Sequence, residues 1–331
     1  MKQHQPQRGF VLVLTLLVLV MVALGAAYFA ERVARSVELA QQSNQNTRAM
    51  INMASTRAEL LYRVATTSVT EYGLGRGNAV MYLDNRAYRG LGDTLLRVQD
   101  DRGLLNLNAV EPERLQRLLG QLGIAADQRA HLIDTLRDYT DEGDLHRLNG
   151  AEKEDYLARG LPPPPNRNLT TPWEAQGIIG WRDAPQLWQN ARLVELTSTS
   201  FATGVNPNTA PAEILATLPG VTADVAQRII AQRQLQPIGN LRQLGDISGL
   251  PTPPFEEIIA ILPSNAMRIT QSAQGLAWSV QYHVTLTPRG DVTPWQVDYY
   301  SRVSTPQHST DPAIATALPP RSLAPPENPP P

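Results

Sequence analysis

The 331-residue sequence contains no cysteine. That absence excludes disulfide scaffolds, zinc–thiolate sites and thiol catalysis together. Charge of either sign is also lacking in excess. The formal net charge is −2, so there is no overall basic signal for nucleic acid. The five histidines (His4, His131, His146, His283 and His308) fall in no His-Glu-x-x-His or other paired ligand spacing. A Gly-x-Ser-x-Gly elbow, a P-loop and a dinucleotide fingerprint are all missing. Nothing singles out two carboxylates as an acid/base pair. The chain is therefore read as a structural or interaction protein and not as an enzyme.

One further lack is local. Residues 10–30 form an apolar run of 21 residues without a charge. At about 1.5 Å per residue such a helix spans about 31 Å, the hydrocarbon thickness of a bilayer. Lys2 and Arg8 precede it, and Glu31, Arg32 and Arg35 follow. A cleaved secretory signal is one reading, but its apolar core is shorter, about 7–15 residues. A plain membrane anchor is another. The junction Arg8-Gly9-Phe10 offers a third. A short basic leader, a glycine and a phenylalanine opening the apolar helix resemble the class III leader of type IV pilins and type II secretion pseudopilins.

That resemblance implies cleavage by a prepilin peptidase after Gly9 and N-methylation of Phe10. Most pilins carry Glu as the fifth mature residue, where it pairs with a neighbouring subunit's N-terminus. Here the fifth residue is Leu14. The resemblance thus narrows to the GspK family, the minor pseudopilins at the tip of the type II secretion pseudopilus, which lack this Glu. It implies single-pass residence in the inner membrane with the C-terminal domain in the periplasm. It also implies GspI-like and GspJ-like minor pseudopilins as partners through the N-terminal helix, together with the prepilin peptidase and the inner-membrane secretion platform.

Residues 31–72 contain neither Pro nor Gly, and apolar residues recur among them at helical spacing. They are expected to continue the apolar segment into one spine helix, ended by Gly73, Gly75 and Gly77, with a short strand at 79–82. Residues 94–99 and 104–107 flank Asp100-Asp101-Arg102-Gly103 and read as a hairpin.

An internal repeat follows. Asn106-Leu107-Asn108, Pro112, Leu118-Leu119, Gly123-Ile124 and Leu132-Ile133 are echoed by Asn206-Pro207-Asn208, Pro211, Leu218, Gly220-Val221 and Ile229-Ile230. Each copy reads as helix, glycine turn, helix, with the second Asn or a following Thr or Glu as N-cap. Such helix-hairpin-helix modules often bind DNA by offering a Gly-x-Gly turn and basic side chains to phosphate. Here the turn is Gly220-Val221-Thr222. Residues 201–262 hold 3 basic and 5 acidic side chains, and residues 100–160 hold 8 and 13. No nucleic acid is therefore expected. A membrane-anchored DNA-binding protein of a pilus-like uptake system is the alternative, and a periplasmic Ca²⁺-binding adaptor a third reading. In the resembled family, paired helical hairpins form a structural insertion.

Between the repeats lie seven carboxylates within residues 138–155. Turns at Gly143 and Gly150 would let them wrap Ca²⁺, which takes 6–8 oxygens, although the spacing is not that of an EF-hand and a solvated acidic loop is the alternative. The family resemblance, carried here by Asn149-Gly150-Ala151-Glu152 and the following Tyr156, implies a Ca²⁺ site. Asp138, Asp141, Asp144, Glu152 and Asp155 are the expected ligands. Trp173, Trp181 and Trp188 read as aromatics that cap a core, with a partner-facing surface as the alternative. Residues 267–270, 278–286 and 295–300 alternate with period two and read as a meander with one buried face.

The fold class is α+β. By resemblance it is pilin-like, with a long N-terminal spine helix, an antiparallel sheet and a large all-α insertion of two helix-hairpin-helix (SAM-like) modules. The expected divisions are a leader at 1–9, the membrane segment at 10–30 and the periplasmic spine at 31–72. The first part of the β-domain is expected at 73–108, the helical insertion at 109–262, the closing strands at 263–304 and a Pro-rich disordered tail at 305–331.

Overall fold

The computed structural model describes residues 8–249, 256–274, 276–288, 290, 292–304 and 315–320. Helix α1 runs from Arg8 to Thr66. Residues through Ile51 form one unit, and Asn52 onward belongs to a second. In the first unit the apolar side chains are exposed on every side of the helix: Phe10, Leu14, Leu19 and Leu24 are each more than half exposed. In the second unit Met53, Thr56, Leu60 and Val64 form a buried stripe at the i, i+3/i+4 spacing that puts them on one helix face. Val33 and Val37, part of the apolar series read from the sequence, are exposed.

α1 stops at Thr66, before the glycines. The segment Thr66-Thr67-Ser68-Val69-Thr70 is rich in β-branched and hydroxyl side chains, which resist helix. Strands β1 (Val69–Thr70) and β2 (Gly73–Leu74) then form a small hairpin. Gly73 turns it at φ 132°, and a Cβ there would lie 2.3 Å from the Met81 carbonyl oxygen. The strand expected at 79–82 is a single bridge from Met81 to Leu74. Strands β3 (Asp84–Arg89) and β4 (Thr94–Asp100) pair antiparallel.

The chain then leaves the sheet through one 3₁₀ turn, Asp101–Gly103. In order come β5 (Leu105–Asn106), α2 (Pro112–Gln121), α3 (Ala126–Thr140), α4 (Lys153–Ala158), α5 (Pro185–Trp188), α6 (Arg192–Leu196), β6 (Thr197–Ser198), α7 (Ala212–Leu215), α8 (Ala223–Leu235) and α9 (Leu241–Ser248). It returns as β7 (Ala266–Ala273), β8 (Trp278–Leu286), β9 (Trp295–Ser304) and β10 (Thr316–Ala317). The main sheet has the order β10-β3-β4-β7-β8-β9. β5 pairs in parallel with β6, so the hairpin expected across residues 94–107 is not formed. β4 instead lies against β7, from Thr94↔Ala273 to Asp100↔Met267. Residues 101–265 are thus inserted between two hydrogen-bonded neighbours. The tail expected to be disordered contributes β10, which pairs with β3, and Arg63 Nη1 donates to the Pro319 carbonyl at 2.8 Å. The leader through residue 7 and the tail at 305–314 and 321–331 lie outside the described residues.

The two faces of the sheet differ. Leu96, Val98, Ile269, Val280 and Tyr282 lie on one face and are buried. On that side the Gln271 side chain donates to the Met53 carbonyl of α1, and Thr56 Oγ1 accepts from the Leu91 amide at 2.9 Å. The other face carries Gln99, Arg268, His283 and Tyr299 in one row across four strands. Gln99 Nε2 donates to the Thr209 carbonyl at 3.1 Å. Arg268 donates to the carbonyls of Val194, Thr197 and Glu195. His283 Nε2 lies 2.8 Å from Asp101 Oδ2. The polar face is therefore covered by the insertion, and β8 is buried along both faces where the alternation had implied one. The insertion has its own apolar core, drawn from residues 105–244 and containing no strand of the main sheet.

Asp100 closes the junction. It is fully buried. Its Oδ1 accepts from the Ser264 amide and hydroxyl, both at 2.8 Å, and from the Arg102 amide at 3.3 Å. Its Oδ2 accepts from Asn206 Nδ2 at 3.2 Å and Thr209 Oγ1 at 2.8 Å. One carboxylate holds the start of the insertion, its second repeat and its end.

Candidate functional site

Three features carry the functional argument: the exposed apolar helix, the paired helical hairpins and the acidic loop. Gly9 and Phe10 lie in the first turn of α1, which has no acidic residue. The helix passes the length and hydropathy test for a membrane span, with a mean hydropathy of 2.9 over its most apolar window. Thr15 Oγ1, a polar group within that stretch, donates to the Leu12 carbonyl at 2.9 Å. It thereby satisfies its hydrogen bond inside the helix, as an apolar solvent requires.

The repeat seen in the sequence is also a repeat of hydrogen bonds. Asn106 Oδ1 accepts from the Asn108 amide at 3.0 Å, and Asn206 Oδ1 from the Asn208 amide at 2.9 Å. Asn108 then grips the backbone of Leu169, accepting at 2.8 Å and donating at 2.9 Å. Asn208 grips Ile238 in the same way, at 2.8 and 3.0 Å. The second Asn of each pair is therefore a cross-link; the N-cap of α2 is Glu111, the following Glu that the sequence offered, whereas that of α7 is Pro211. Gly123 and Gly220 turn the two hairpins at φ 86° and 76°. In the second module Arg233 is spent on the Pro207 and Ala210 carbonyls, and burial lowers its pKa to about 10. A half-buried arginine whose Nη1 is committed to two carbonyls is still charged but is tied down away from a phosphate.

The acidic loop joins the end of α3 to α4. Asp138 is fully buried. It accepts from the Ala151 amide at 3.0 Å, the Arg147 amide at 3.2 Å and Arg147 Nη1 at 2.5 Å. The same Nη1 reaches Asp141 Oδ2 at 2.6 Å. Asp155 Oδ2 accepts from the Glu152 amide at 3.0 Å and lies 3.2 Å from His146 Nε2. Asp144 is exposed. Both Glu152 carboxylate oxygens and Asp141 Oδ1 are buried without a hydrogen-bond partner. Burial, then the charges of Asp138, Asp141 and Asp144, push the Glu152 carboxyl above the usual range.

Asp138 and Asp141 are thus brought together on a guanidinium, Glu152 stands close enough to feel both, and Asp155 is engaged elsewhere. Among the described residues no three His, Asp or Glu side chains meet as a formed metal site. Reasoning from the carboxylates alone missed Arg147 and His146, which sit among them in the sequence. It also missed Asp134, whose Oδ2 accepts from the backbone and side chain of Asn149 at 3.1 and 3.0 Å. Tyr156 anchors the loop to the core, its hydroxyl accepting from the Ile179 amide at 3.2 Å.

Gly150 is the tightest point. A Cβ there would lie 1.7 Å from Asp138 Oδ2. Gly150→Ala is expected to push the Asp138 carboxylate off Arg147 and the Ala151 amide and to destabilise the chain by about 2–4 kcal/mol. Thermal unfolding checks this, and Gly143→Ala, whose Cβ would make only ordinary contacts, the nearest 3.7 Å from the Leu145 amide nitrogen, is the control expected to be near neutral.

Residues 95–192 match the family described as type II secretion system (T2SS), protein K. This stretch of the chain is thus similar to a type II secretion protein K domain. That domain opens in β4 and ends in α6, so it takes in the first hairpin module and the acidic loop. Residues 200–262 match the helix-hairpin-helix motif and cover the second module. The type II secretion system protein K of Dickeya chrysanthemi is 29% identical over 139 residues, 41% of this chain and 38% of that protein. The match thus spans well under half of the relative's length. In the solved structures, the fold is similar to a chain of the GspK-GspI-GspJ complex from the enterotoxigenic Escherichia coli type 2 secretion system. The TM-score is 0.50 at 16% identity, over 80% of this chain and 99% of that one. The family resemblance read from the sequence is thus met by the domain match at residues 95–192 and by the fold, while Gly9, Phe10 and Leu14 lie outside the matched domain.

Proposed function

We propose that this chain is the minor pseudopilin at the tip of a type II secretion pseudopilus, where it helps initiate assembly and export across the outer membrane. The observation that carries this reading is the insertion of residues 101–265, a protein K domain included, between adjacent strands of a sheet that follows one exposed apolar helix. The apolar helix would hold the subunit in the inner membrane, with the sheet and insertion in the periplasm. Cleavage after Gly9 by the prepilin peptidase would free it for assembly, with Phe10 then N-methylated. Leu14 leaves out the intramembrane carboxylate by which most such subunits recruit a neighbour, because an unpaired charge there is costly. A bulky inserted head suits the end of a filament better than its repeating layers. GspI-like and GspJ-like subunits are the proposed partners through α1, and the inner-membrane platform the proposed site of assembly.

The intact mass of the mature protein from its native membrane tests the reading. A chain starting at N-methylated Phe10 is expected, and Gly9→Ala is expected to retain the leader. A mature chain starting at Met1 would leave an ordinary anchored protein.

The same reading gives the acidic loop a Ca²⁺ ion. The unpartnered oxygens of Glu152 and Asp141 fit such a hard cation, with Asp144 nearby in charge and Asp138 and Asp155 as the further candidates. The ion would supply positive charge that ties the end of α3 to the start of α4. Added Ca²⁺ is expected to raise the unfolding midpoint, and Glu152→Gln to abolish the gain. An equal response of wild type and variant would remove the ion from this loop.

A further inference from the structure

The outer edge of β3 is covered by the chain's own C-terminal segment. Thr316 and Ala317 pair in parallel with Tyr88 and Arg89. Ala315 is buried beside Ala87 and Leu95. Two residues beyond the pairing, the Pro319 carbonyl accepts from Arg63 Nη1 at 2.8 Å, in the last turn of α1. Residues 315–320 thus lie across the β3 edge and reach the end of the spine helix.

Their hold is small, for reasons of chemistry. The ladder is two residues long, and Pro319 and Pro320 have no amide hydrogen with which to lengthen it. Thr316 and Ala317 are exposed, and the buried anchor, Ala315, carries a single methyl group. A cavity of about 30 Å³ is left between Pro319 and Pro320 on one side and Tyr62, Thr66 and Met81 on the other. β4, by contrast, meets β7 over seven residue pairs. A net hydrogen bond shifts an equilibrium by about two- to tenfold. A two-residue ladder and one arginine contact therefore open far more often than the sheet itself does.

We propose that residues 315–320 are a releasable strap, and that the β3 edge beneath them is an acceptor for the same segment of a second copy of this chain. The contacts belong to the segment itself, so what fits the edge within one chain fits it between two. Once released, β3 presents a row of backbone N–H and C=O groups that an added strand can pair. The methyl-sized contact beside Ala87 and Leu95 and the Arg63 guanidinium, which takes a carbonyl, then select that segment and its direction. Exchange loses only the tether, since each bond broken in one chain is remade with the other.

Hydrogen exchange on the full chain in detergent reads the release. Amides of residues 316–318 are expected to be protected by about 10²–10³-fold, and those of β4 and β7 by at least about tenfold more. Disulfide trapping reads the exchange, and the absence of cysteine from the chain makes it specific. Full-length Arg89→Cys is incubated with a peptide of residues 312–322 carrying Ala317→Cys, the position opposite Arg89, or with the same peptide in reversed order. Paired strands bring Cα atoms within the about 4.4–6.8 Å that a disulfide spans. The mixed disulfide is expected to form at least about tenfold faster with the native order, because pairing raises the local thiol concentration. Residues 316–318 as protected as β4 would make the tail a fixed strand and overturn the proposal. Equal trapping of the two peptides would overturn it as well, since the edge would then not recognise the segment.

Discussion

Asp100→Ala is expected to cost about 3–5 kcal/mol of folding stability, at about 1–3 kcal/mol for each buried donor left unpaired and with partial relief from entering water. Few single residues in the chain hold as much. Its carboxylate receives five hydrogen bonds from four residues: Arg102 where the insertion begins, Asn206 and Thr209 in the second repeat, and Ser264 where the chain returns. No apolar replacement satisfies these donors. Asp100→Asn keeps one acceptor oxygen but presents an amino group to the other set, so about half of the loss is expected to remain. Denaturant unfolding of the three proteins in one detergent measures both values. A loss below about 1 kcal/mol for the alanine variant would mean that the junction is held elsewhere.

The second large effect is a dependence on pH centred on His283. Its Nδ1 lies 2.6 Å from Asp298 Oδ2 and its Nε2 2.8 Å from Asp101 Oδ2. Both ring nitrogens face carboxylates, so both must carry hydrogen, and the ring is an imidazolium. Ser198 Oγ and Thr285 Oγ1 donate to the same two oxygens at 2.6 Å each, and Tyr299 stacks on the ring at 5.5 Å. Burial works against the charge, but the hydrogen bonds and charges of Asp101 and Asp298 outweigh it and raise the His283 pKa to about 9. Asp101 moves the other way: burial opposes its ionisation, yet the hydrogen bond and charge of His283 hold it below the ordinary value.

The signs follow from linkage. The histidine contribution is complete below its unfolded pKa of about 6.5 and is lost as pH rises through about 9. The Asp101 contribution is complete above its ordinary value and is lost as pH falls through the depressed one. A rise of that size corresponds to about 3 kcal/mol. The unfolding midpoint is expected to fall between neutral pH and about pH 10. His283→Gln is expected to lower stability at neutral pH by about 3–5 kcal/mol, because it strands Asp101 in a buried place, and to flatten the alkaline decline. Parallel declines in wild type and variant would assign the alkaline limb to other groups.

Much of this architecture is legible in the sequence, and the illegible part has one physical origin. The repeat is visible because Asn106/Asn108 and Asn206/Asn208 do the same backbone work twice. The meander is visible because residues 278–286 alternate strictly. Period two, however, reports only which side chains share a face, not what covers that face. Gln99, Arg268 and His283 look like solvent-facing polar residues, and their partners are Thr209, Val194 and Asp101, far away in the chain. The pair Asp100-Asp101 misled for the same reason. Next to a glycine it reads as a turn, whereas both carboxylates are buried by contacts more than 90 residues distant. In the acidic loop the carboxylates are legible as a group, but nothing in their spacing marks Arg147 as the cation that gathers two of them.

β4 and β7 are neighbours whether or not anything lies between them, because Asp100 pairs with Met267 across the gap. A short turn in place of residues 101–265 would leave a continuous meander. The face so uncovered would present glutamine, arginine, histidine, serine and threonine, which water solvates well. A host whose attachment surface is already hydrophilic can lose or exchange its passenger without becoming insoluble. Heads of different size and binding capacity can therefore be tried on one stem.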